Sequence, residues 1–137
     1  MINWKYFGVV HKLLYKLSGG RMGARMGWID VALVTTTGRK SGKPRTVPIA
    51  CYPYRDSVAV SASNSGMERH PAWYLNMQAD PRVTVQLGRE RFEATAEEVP
   101  ADEREALWQS VVKINKHQGE YLEAVKREIP LVWFRRR

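Results

Sequence analysis

The stretch from residue 31 to residue 52 most constrains the fold, because it predicts two β-strands joined by a basic loop. Residues 31–36 are apolar or β-branched, and apolar residues alternate with others through residues 46–52, a pattern typical of strands. The nine residues 37–45 include four cations, two glycines and one proline. Glycine and proline shape turns, and clustered cations attract anions. The sequence therefore predicts a strand-loop-strand unit whose loop binds an anion.

Further strands are predicted downstream of this unit. They cover residues 58–63, 82–87, 90–96 and 130–134. Gly88 and Arg89 separate the middle two, as expected for a tight hairpin. Together with the first two strands this makes six, joined mostly by short loops, which favours an antiparallel arrangement.

Helices are predicted in three places within the same region. A short helix begins at Pro71 and ends near Asp80, because proline suits a first turn. A second begins at residue 100 with Asp102 as its N-cap, and a third covers residues 120–127. The order of elements predicts an α+β, mostly β fold: a small antiparallel barrel of about six strands with helices packed outside it.

Residues 1–27 are predicted to form a separate segment ahead of a barrel domain of residues 28–137. Residues 2–17 have the apolar spacing of an amphipathic helix, with lysines on a second face. Residues 18–27 contain four glycines and two arginines, which indicates a basic connector. Two interpretations of the helix stay open: it packs on the barrel, or residues 1–17 rest peripherally on an anionic membrane.

The positive charge is concentrated near the N-terminus. Residues 1–48 hold nine Lys and Arg against one acid, whereas residues 49–137 hold thirteen of each sign, so the whole net charge of +8 lies in the first part. Such a field attracts a phosphorylated cofactor, an anionic membrane or nucleic acid. Because residues 37–45 contain no aromatic residue for base stacking, no nucleic-acid partner is expected.

Several classes of protein are excluded or disfavoured by composition. The single cysteine, Cys51, excludes an internal disulfide and is predicted to pack in a strand. The three histidines lack metal-ligand spacing, so no metal site is predicted. Neither a signal peptide nor a membrane-spanning run is predicted from the sequence. We expect a cytoplasmic protein, either free or peripheral on the inner face of the cell membrane.

Four motifs in their order and spacing resemble one known family. They are TTTGRKSGKPRTVP at 35–48, SNSG at 63–66, HPAWYLN at 70–76 and DPRVTVQ at 80–86. This set is similar to the deazaflavin-dependent nitroreductases, also called F-420H2-dependent quinone reductases, over about residues 28–134. The resemblance implies a split β-barrel of the flavin-reductase type that binds coenzyme F-420, with FMN less favoured. It also implies hydride transfer to a quinone, a nitroaromatic compound or another activated unsaturated acceptor.

The cofactor site is predicted on the basic loop and on the elements that follow it. Arg39, Lys40 and Arg45 supply positive charge, and the backbone at Ser41 and Gly42 can approach a phosphate closely. The resemblance adds a wall for the deazaflavin ring and the residues beside it: Thr46, Val47, Pro48, Ser61, Ala62, Ser63, Asn64, Ala72, Trp73 and Tyr74. Without the resemblance, Trp73 and Tyr74 are more typical of core aromatics.

The catalytic candidates are Tyr121 and Tyr74. Tyr121 matches a substrate-pocket tyrosine of the family, where its hydroxyl would bond to the acceptor; the competing interpretation is that it only packs its helix against the barrel. Asn115, Gln118 and Ala124 stand where some members carry aromatics, which predicts a wider and more polar pocket.

Two rivals to an enzyme stay open at this point. One is a non-catalytic carrier of a deazaflavin, flavin or haem, since fold alone does not determine function. The other is a basic module that binds a membrane surface. A monomer or weak dimer is expected in each case.

Overall fold

The computed structural model describes residues 25–26 and 29–137 of the chain. In these ranges the elements are β1 (Arg25–Met26), β2 (Ile29–Thr37), β3 (Pro44–Tyr54), β4 (Ser57–Ser61), α1 (Ala72–Ala79), β5 (Arg82–Leu87), β6 (Glu90–Glu98), α2 (Ala101–Ile114), α3 (Lys116–Ala124) and β7 (Leu131–Arg136). A short 3-10 turn, Asn64–Gly66, lies between β4 and α1.

Six of the described strands close into an antiparallel barrel. Their order is β2-β3-β4-β7-β6-β5, and β5 pairs back onto β2. β1 pairs with β2 at Asp30 and Ile29, just beyond Ala32, where the pairing of β2 with β5 ends. The predicted six-stranded antiparallel barrel with helices outside it is therefore confirmed.

The barrel wall is split along β3. Its second half pairs with β4 from Cys51 to Tyr54, whereas among the described strands residues 44–50 pair only with β2. Pro48 lies in this half, and a residue without a backbone N–H is tolerated where a strand has a free edge. This half-strand follows the basic loop directly, so the split and the loop share one end of the barrel.

Two apolar clusters pack on opposite faces of the wall. The interior is filled by side chains that include Val34, Val60, Val85 and Phe134, all fully buried. The second cluster lies between the wall and α2, and its members are Tyr52, Ala59, Val99, Leu107, Val111, Leu131 and Trp133. Alternation along each strand separates the two sets. The outer face of β3 and β4 is therefore also a buried surface wherever a helix covers it.

α1 packs against one end of the barrel. Tyr74 and Met77 belong to the interior cluster, and Trp73 and Leu75 pack against it. Cys51 lies in the same cluster and is 2% exposed, which confirms that it packs in a strand. Burial raises the pKa of its thiol to about 12, so the group stays protonated at neutral pH.

Several predicted boundaries were wrong. α3 begins at Lys116 and contains Gly119, because Asn115 caps it: its Oδ1 accepts from the N–H of His117 at 3.2 Å. Asp102 does not cap α2, which begins after Pro100 with Asp102 inside its first turn. Arg25 and Met26 form β1 rather than part of a connector, so the barrel sheet extends ahead of residue 28.

The predicted helix of residues 2–17 lies outside the described residues. Within the described part of the chain, no helix has the length and apolar character that crossing a membrane requires.

Candidate functional site

The basic loop between β2 and β3 is closed by its own backbone. Gly38 N–H donates to Lys43 O and Gly42 N–H donates to Gly38 O, both at 2.8 Å. A Cβ on Gly38 would lie 2.7 Å from Ser41 Oγ, and Gly42 has φ +71°, so both positions favour glycine. Ser41 Oγ accepts from Lys43 N–H at 3.2 Å. The Gly42 N–H is thus committed within the loop, so the predicted close approach of the Ser41–Gly42 backbone to a phosphate would not use this donor.

Gly42 offers a test of the loop's shape with a matched control. Gly42→Ala and Gly88→Ala each place a side chain at a left-handed φ (+71° and +62°) in open space. Both should cost about 1–2 kcal/mol in the free energy of unfolding, measured by urea denaturation. Only Gly42→Ala should also weaken cofactor binding, since Gly88 lies in the β5–β6 turn. Equal cofactor affinity in the two variants would contradict a role for the loop.

The loop's cations differ from most of the arginines elsewhere in the described chain. Arg55, Arg82, Arg104, Arg135, Arg136 and Arg137 each pair with a carboxylate. Within residues 25–26 and 29–137, no carboxylate pairs with any of the loop's four cations, Arg39, Lys40, Lys43 and Arg45. Uncompensated like charges repel one another. The loop is therefore arranged to receive an anion.

A cavity of about 330 Å³ lies between the loop and α1. It unites seven of the predicted cofactor residues: Arg39, Lys40, Ser41, Arg45, Val47, Ala72 and Trp73. None of the described residues that line it is acidic. Trp73 is half-buried and supplies an aromatic wall beside the cations, which suits a ligand that is both anionic and partly apolar.

The sequence analysis missed Asn76, which also lines this cavity. Its side chain is 5% exposed, and its Oδ1 accepts two hydrogen bonds from Arg39, from the backbone N–H at 3.1 Å and from Nη1 at 3.0 Å. The available signal was an asparagine between Leu75 and Met77 within a short helix, where asparagine is unfavourable unless its amide has partners.

The structure divides the predicted ring wall between the two faces of β3. Val47 lines the cavity, so alternation turns Thr46 and Pro48 to the outer face of the strand. Thr46 Oγ1 lies 2.8 Å from Thr35 Oγ1 on that face. Thr46 and Pro48 are only half-buried, so this part of the wall is accessible. The predicted residues of the loop and of β3 thus form two groups, which meet where the loop enters β3.

Asn115 and Gln118 do not open a polar pocket. Gln118 is 7% exposed and its Oε1 accepts from Ser61 Oγ at 2.8 Å. Asn115 is 8% exposed and donates from Nδ2 to Tyr52 Oη at 3.0 Å, and burial raises the pKa of Tyr52. These pairs attach α3 to the outer face of β3 and β4. The expectation of a wider pocket lined by Asn115 and Gln118 was therefore wrong.

The segment after β4 has an unusual backbone. Asn64, Ser65 and Gly66 all have positive φ, at 49°, 54° and 79°, which is strained for the two residues with side chains. Ala62 and Ser63 just before them are buried, and their carbonyls accept from Arg127 Nη2 at 3.1 and 3.0 Å. Asn64 Nδ2 donates to Arg69 O at 3.0 Å. This segment, which was predicted to border the ring site, therefore has a firmly held backbone.

Tyr74 does not face the basic cavity. Its hydroxyl donates to Glu98 Oε1 and accepts from Gln78 Nε2, in a separate pocket between α1 and β6. Burial and this bond to a carboxylate raise its pKa to about 12, which makes it a poor proton donor. His70 lies beside its ring at 4.8 Å. The prediction that Tyr74 is catalytic and touches the cofactor finds no support in this geometry.

Tyr121 follows Gln118 by three residues on α3. Because residues three apart on a helix are neighbours on its surface, the two side chains lie over the same strand face. Its ring packs on the strained turn, since a Cβ on Gly66 would lie 3.1 Å from its Cδ1. Within the described residues its hydroxyl has no hydrogen-bond partner. Unlike the Tyr74 hydroxyl, the Tyr121 hydroxyl is therefore uncommitted within the described residues.

Comparison with known proteins identifies the family of this chain. Residues 9–135 match the family model described as F-420H(2)-dependent quinone reductase. The chain belongs to this family. An F-420H(2)-dependent quinone reductase of Mycobacterium tuberculosis is 36% identical over 132 residues, which cover 93% of this chain and 89% of that protein.

Two solved structures of similar chains support the family's fold. A structure described as an F-420-H2 dependent reductase is 38% identical with a TM-score of 0.69, covering 76% of this chain and 92% of its own. Another, described as a domain-swapped dimer, is 34% identical with a TM-score of 0.73, covering 92% of this chain and 96% of its own.

The names of the family and of these relatives specify reduced F-420, which confirms coenzyme F-420 as the predicted cofactor. The basic cavity fits the anionic part of such a molecule, because its cations have no carboxylate partner in the described chain. Ser41 is exposed, so its hydroxyl hydrogen can also donate to an anion.

Proposed function

We propose that this quinone reductase family member binds reduced F-420 and catalyses hydride transfer from it to a quinone. The observation that carries the proposal is the group of unpaired cations on a closed loop, in a cavity without described acids. Family membership supplies the identity of the anion, and the loop supplies the reason why this chain would hold it.

The protein's own residues would bind and orient the reactants. Arg39, Lys40 and Arg45 hold the phosphodiester and acidic tail by charge-assisted bonds. Thr46 and Pro48 form an accessible wall for the ring along the outer face of β3. When bound, the cofactor supplies the hydride, and holding two reactants in position accounts for much of the rate enhancement. The Tyr121 hydroxyl would donate to the acceptor oxygen as negative charge develops there.

The test uses the purified chain, reduced F-420 and the quinone menadione, with cofactor oxidation followed by absorbance. We expect oxidation that depends on both protein and quinone. Tight binding of F-420 without turnover across a panel of quinones would eliminate the enzyme and favour a carrier. A Tyr121→Phe variant should lower kcat by about tenfold or more while changing the KM for reduced F-420 little, since one donor to a developing charge is removed.

The range of acceptors is a second part of the proposal. Nitroaromatic and enone acceptors require the same hydride donor and a hydrogen-bond donor at the acceptor, so Tyr121 would serve them as well. Because Asn115 and Gln118 are committed to Tyr52 and Ser61, they are not available to line a polar acceptor pocket. We therefore propose quinones as the better substrates, to be checked by kcat/KM for a quinone, a nitroimidazole and an enone side by side.

Contact of residues 1–17 with an anionic membrane is proposed on the sequence alone. The full chain should sediment with anionic vesicles more than a chain that lacks residues 1–17, and added salt should reduce the difference. Equal recovery of the two chains in the pellet would indicate instead that this segment does not bind lipid.

A further inference from the structure

Asn76 is the buried connection between the basic loop and the barrel. It lies near the middle of α1, and each end of its amide has a partner. The Oδ1 accepts both hydrogen bonds from Arg39, and Nδ2 donates to Thr36 Oγ1 at 3.1 Å. Thr36 is 2% exposed near the end of β2. The amide thus joins α1, β2 and the first cation of the loop.

The orientation of this amide is determined by its surroundings. Arg39 offers only donors, so it requires an acceptor, and Thr36 Oγ1 accepts from Nδ2 in the same arrangement. Because Thr36 and Asn76 are both buried, a flipped amide that turned its NH2 group toward the donors of Arg39 would lose both of these hydrogen bonds, which is costly. Oδ1 is therefore held toward the loop.

Because Asn76 is neutral, its hydrogen bonds to Arg39 do not cancel the positive charge of Arg39. Elsewhere in the described chain, arginines that are held in place are mostly held by carboxylates, which neutralise them. Asn76 holds the Arg39 backbone and guanidinium with a neutral oxygen. The guanidinium is ordered, yet its full charge stays available to an anion in the cavity.

We propose that Asn76 is a positioning residue for cofactor binding: it orients Arg39 through its amide oxygen and preserves the cation's charge for the anionic part of the ligand. This inference rests on the proposed function for the identity of the ligand, but it also applies to a simple anion such as phosphate. Ordering a cation before binding lowers the entropic cost of the complex.

The decisive variant is Asn76→Asp, which keeps the shape and the acceptor but adds a charge beside Arg39. We expect its dissociation constant for F-420 to rise by about tenfold to a hundredfold, the range that one bond to a charged group represents. The KM for reduced F-420 should rise more than kcat falls, and binding should lose part of its salt dependence. A merely structural asparagine would change the melting temperature without changing the salt dependence.

Thr36 provides a matched pair of variants that leave Asn76 in place. Thr36→Ser keeps the hydroxyl and should bind F-420 like the wild type. Thr36→Val removes the acceptor for Nδ2 and should weaken binding several-fold, with circular dichroism used to confirm that it folds. If Asn76→Asp binds F-420 as tightly as the wild type, or if the two Thr36 variants do not differ, the proposal is overturned.

Inorganic phosphate separates this inference from the proposed function. The rise in melting temperature with added phosphate should be smaller for Asn76→Asp than for the wild type. A wild type that responds to phosphate in this manner but does not bind F-420 would refute the proposed function and support the role of Asn76. A phosphate response equal in the two proteins would refute that role.

Discussion

Replacing Arg39 and Arg45 together with alanine is expected to weaken F-420 binding by at least about a hundredfold. Both residues line the cavity, and each hydrogen bond to a charged group contributes about 1.5–3 kcal/mol. Two such losses amount to roughly 3–6 kcal/mol, which is about two to four powers of ten in affinity. The dissociation constant is measured by isothermal titration calorimetry, with oxidised F-420 titrated into the protein.

The double variant should fold normally, because it also relieves repulsion among unpaired cations. A charge-matched control, Arg89→Ala with Lys113→Ala, removes two exposed cations from the β5–β6 turn and from α2. It should bind F-420 within about twofold of the wild type, since exposed charges beyond a Debye length are largely screened. Equal weakening in the two double variants would mean that overall charge, rather than the loop, attracts the cofactor.

The strands could be predicted closely because their signals are local. β5 was predicted at its observed bounds, Arg82–Leu87, and the hairpin turn at Gly88 has the left-handed φ of +62° that glycine permits. The start of α3 was predicted at residue 120 instead of Lys116, because a glycine such as Gly119 commonly marks the end of a helix. In the structure, an asparagine cap at residue 115 and the buried bond of Gln118 to Ser61 stabilise a helix that continues through the glycine.

The candidate site was predictable only where its residues are neighbours in sequence. The loop and its glycines form one continuous motif, so its chemistry could be read directly. Asn76 forms hydrogen bonds with Arg39, 37 residues away in the sequence, and with Thr36, 40 residues away. The periodicity of a short helix does not indicate which of its sides faces the loop. The bond of Tyr74 to Glu98 could not be predicted for the same reason, since the two residues lie 24 positions apart.

The second large effect is expected at Arg127, which the sequence analysis did not single out. Its guanidinium donates to three carbonyls of the segment between β4 and α1: Nε to Met67 O at 3.0 Å, and Nη2 to Ala62 O and Ser63 O at 3.1 and 3.0 Å. Ala62 and Ser63 are buried. The planar guanidinium of Arg127 therefore holds the strained segment on which the Tyr121 ring packs.

Arg127→Met is expected to lower the free energy of unfolding by about 2–4 kcal/mol, because an unsatisfied buried acceptor costs about 1–3 kcal/mol. Urea denaturation measures this directly. Arg127→Lys should restore less than half of the loss, since an ammonium is a point donor and cannot reproduce the fork. The control is Arg104→Met, which removes an ion pair with the exposed Glu128 and should cost no more than about 1 kcal/mol.

The same variant should also affect the reaction if the segment supports the ring site. Asn64 and Ser65 hold left-handed backbone conformations that persist only while the surroundings enforce them. Without Arg127 the turn should relax, and Tyr121 should lose its packing against Gly66. We therefore expect Arg127→Met to lower kcat with quinone even at temperatures where the variant is fully folded. An unchanged kcat in the folded variant would show that the position of Tyr121 does not depend on this turn. In that case α3 alone would hold Tyr121 in place, through the bond between Gln118 and Ser61.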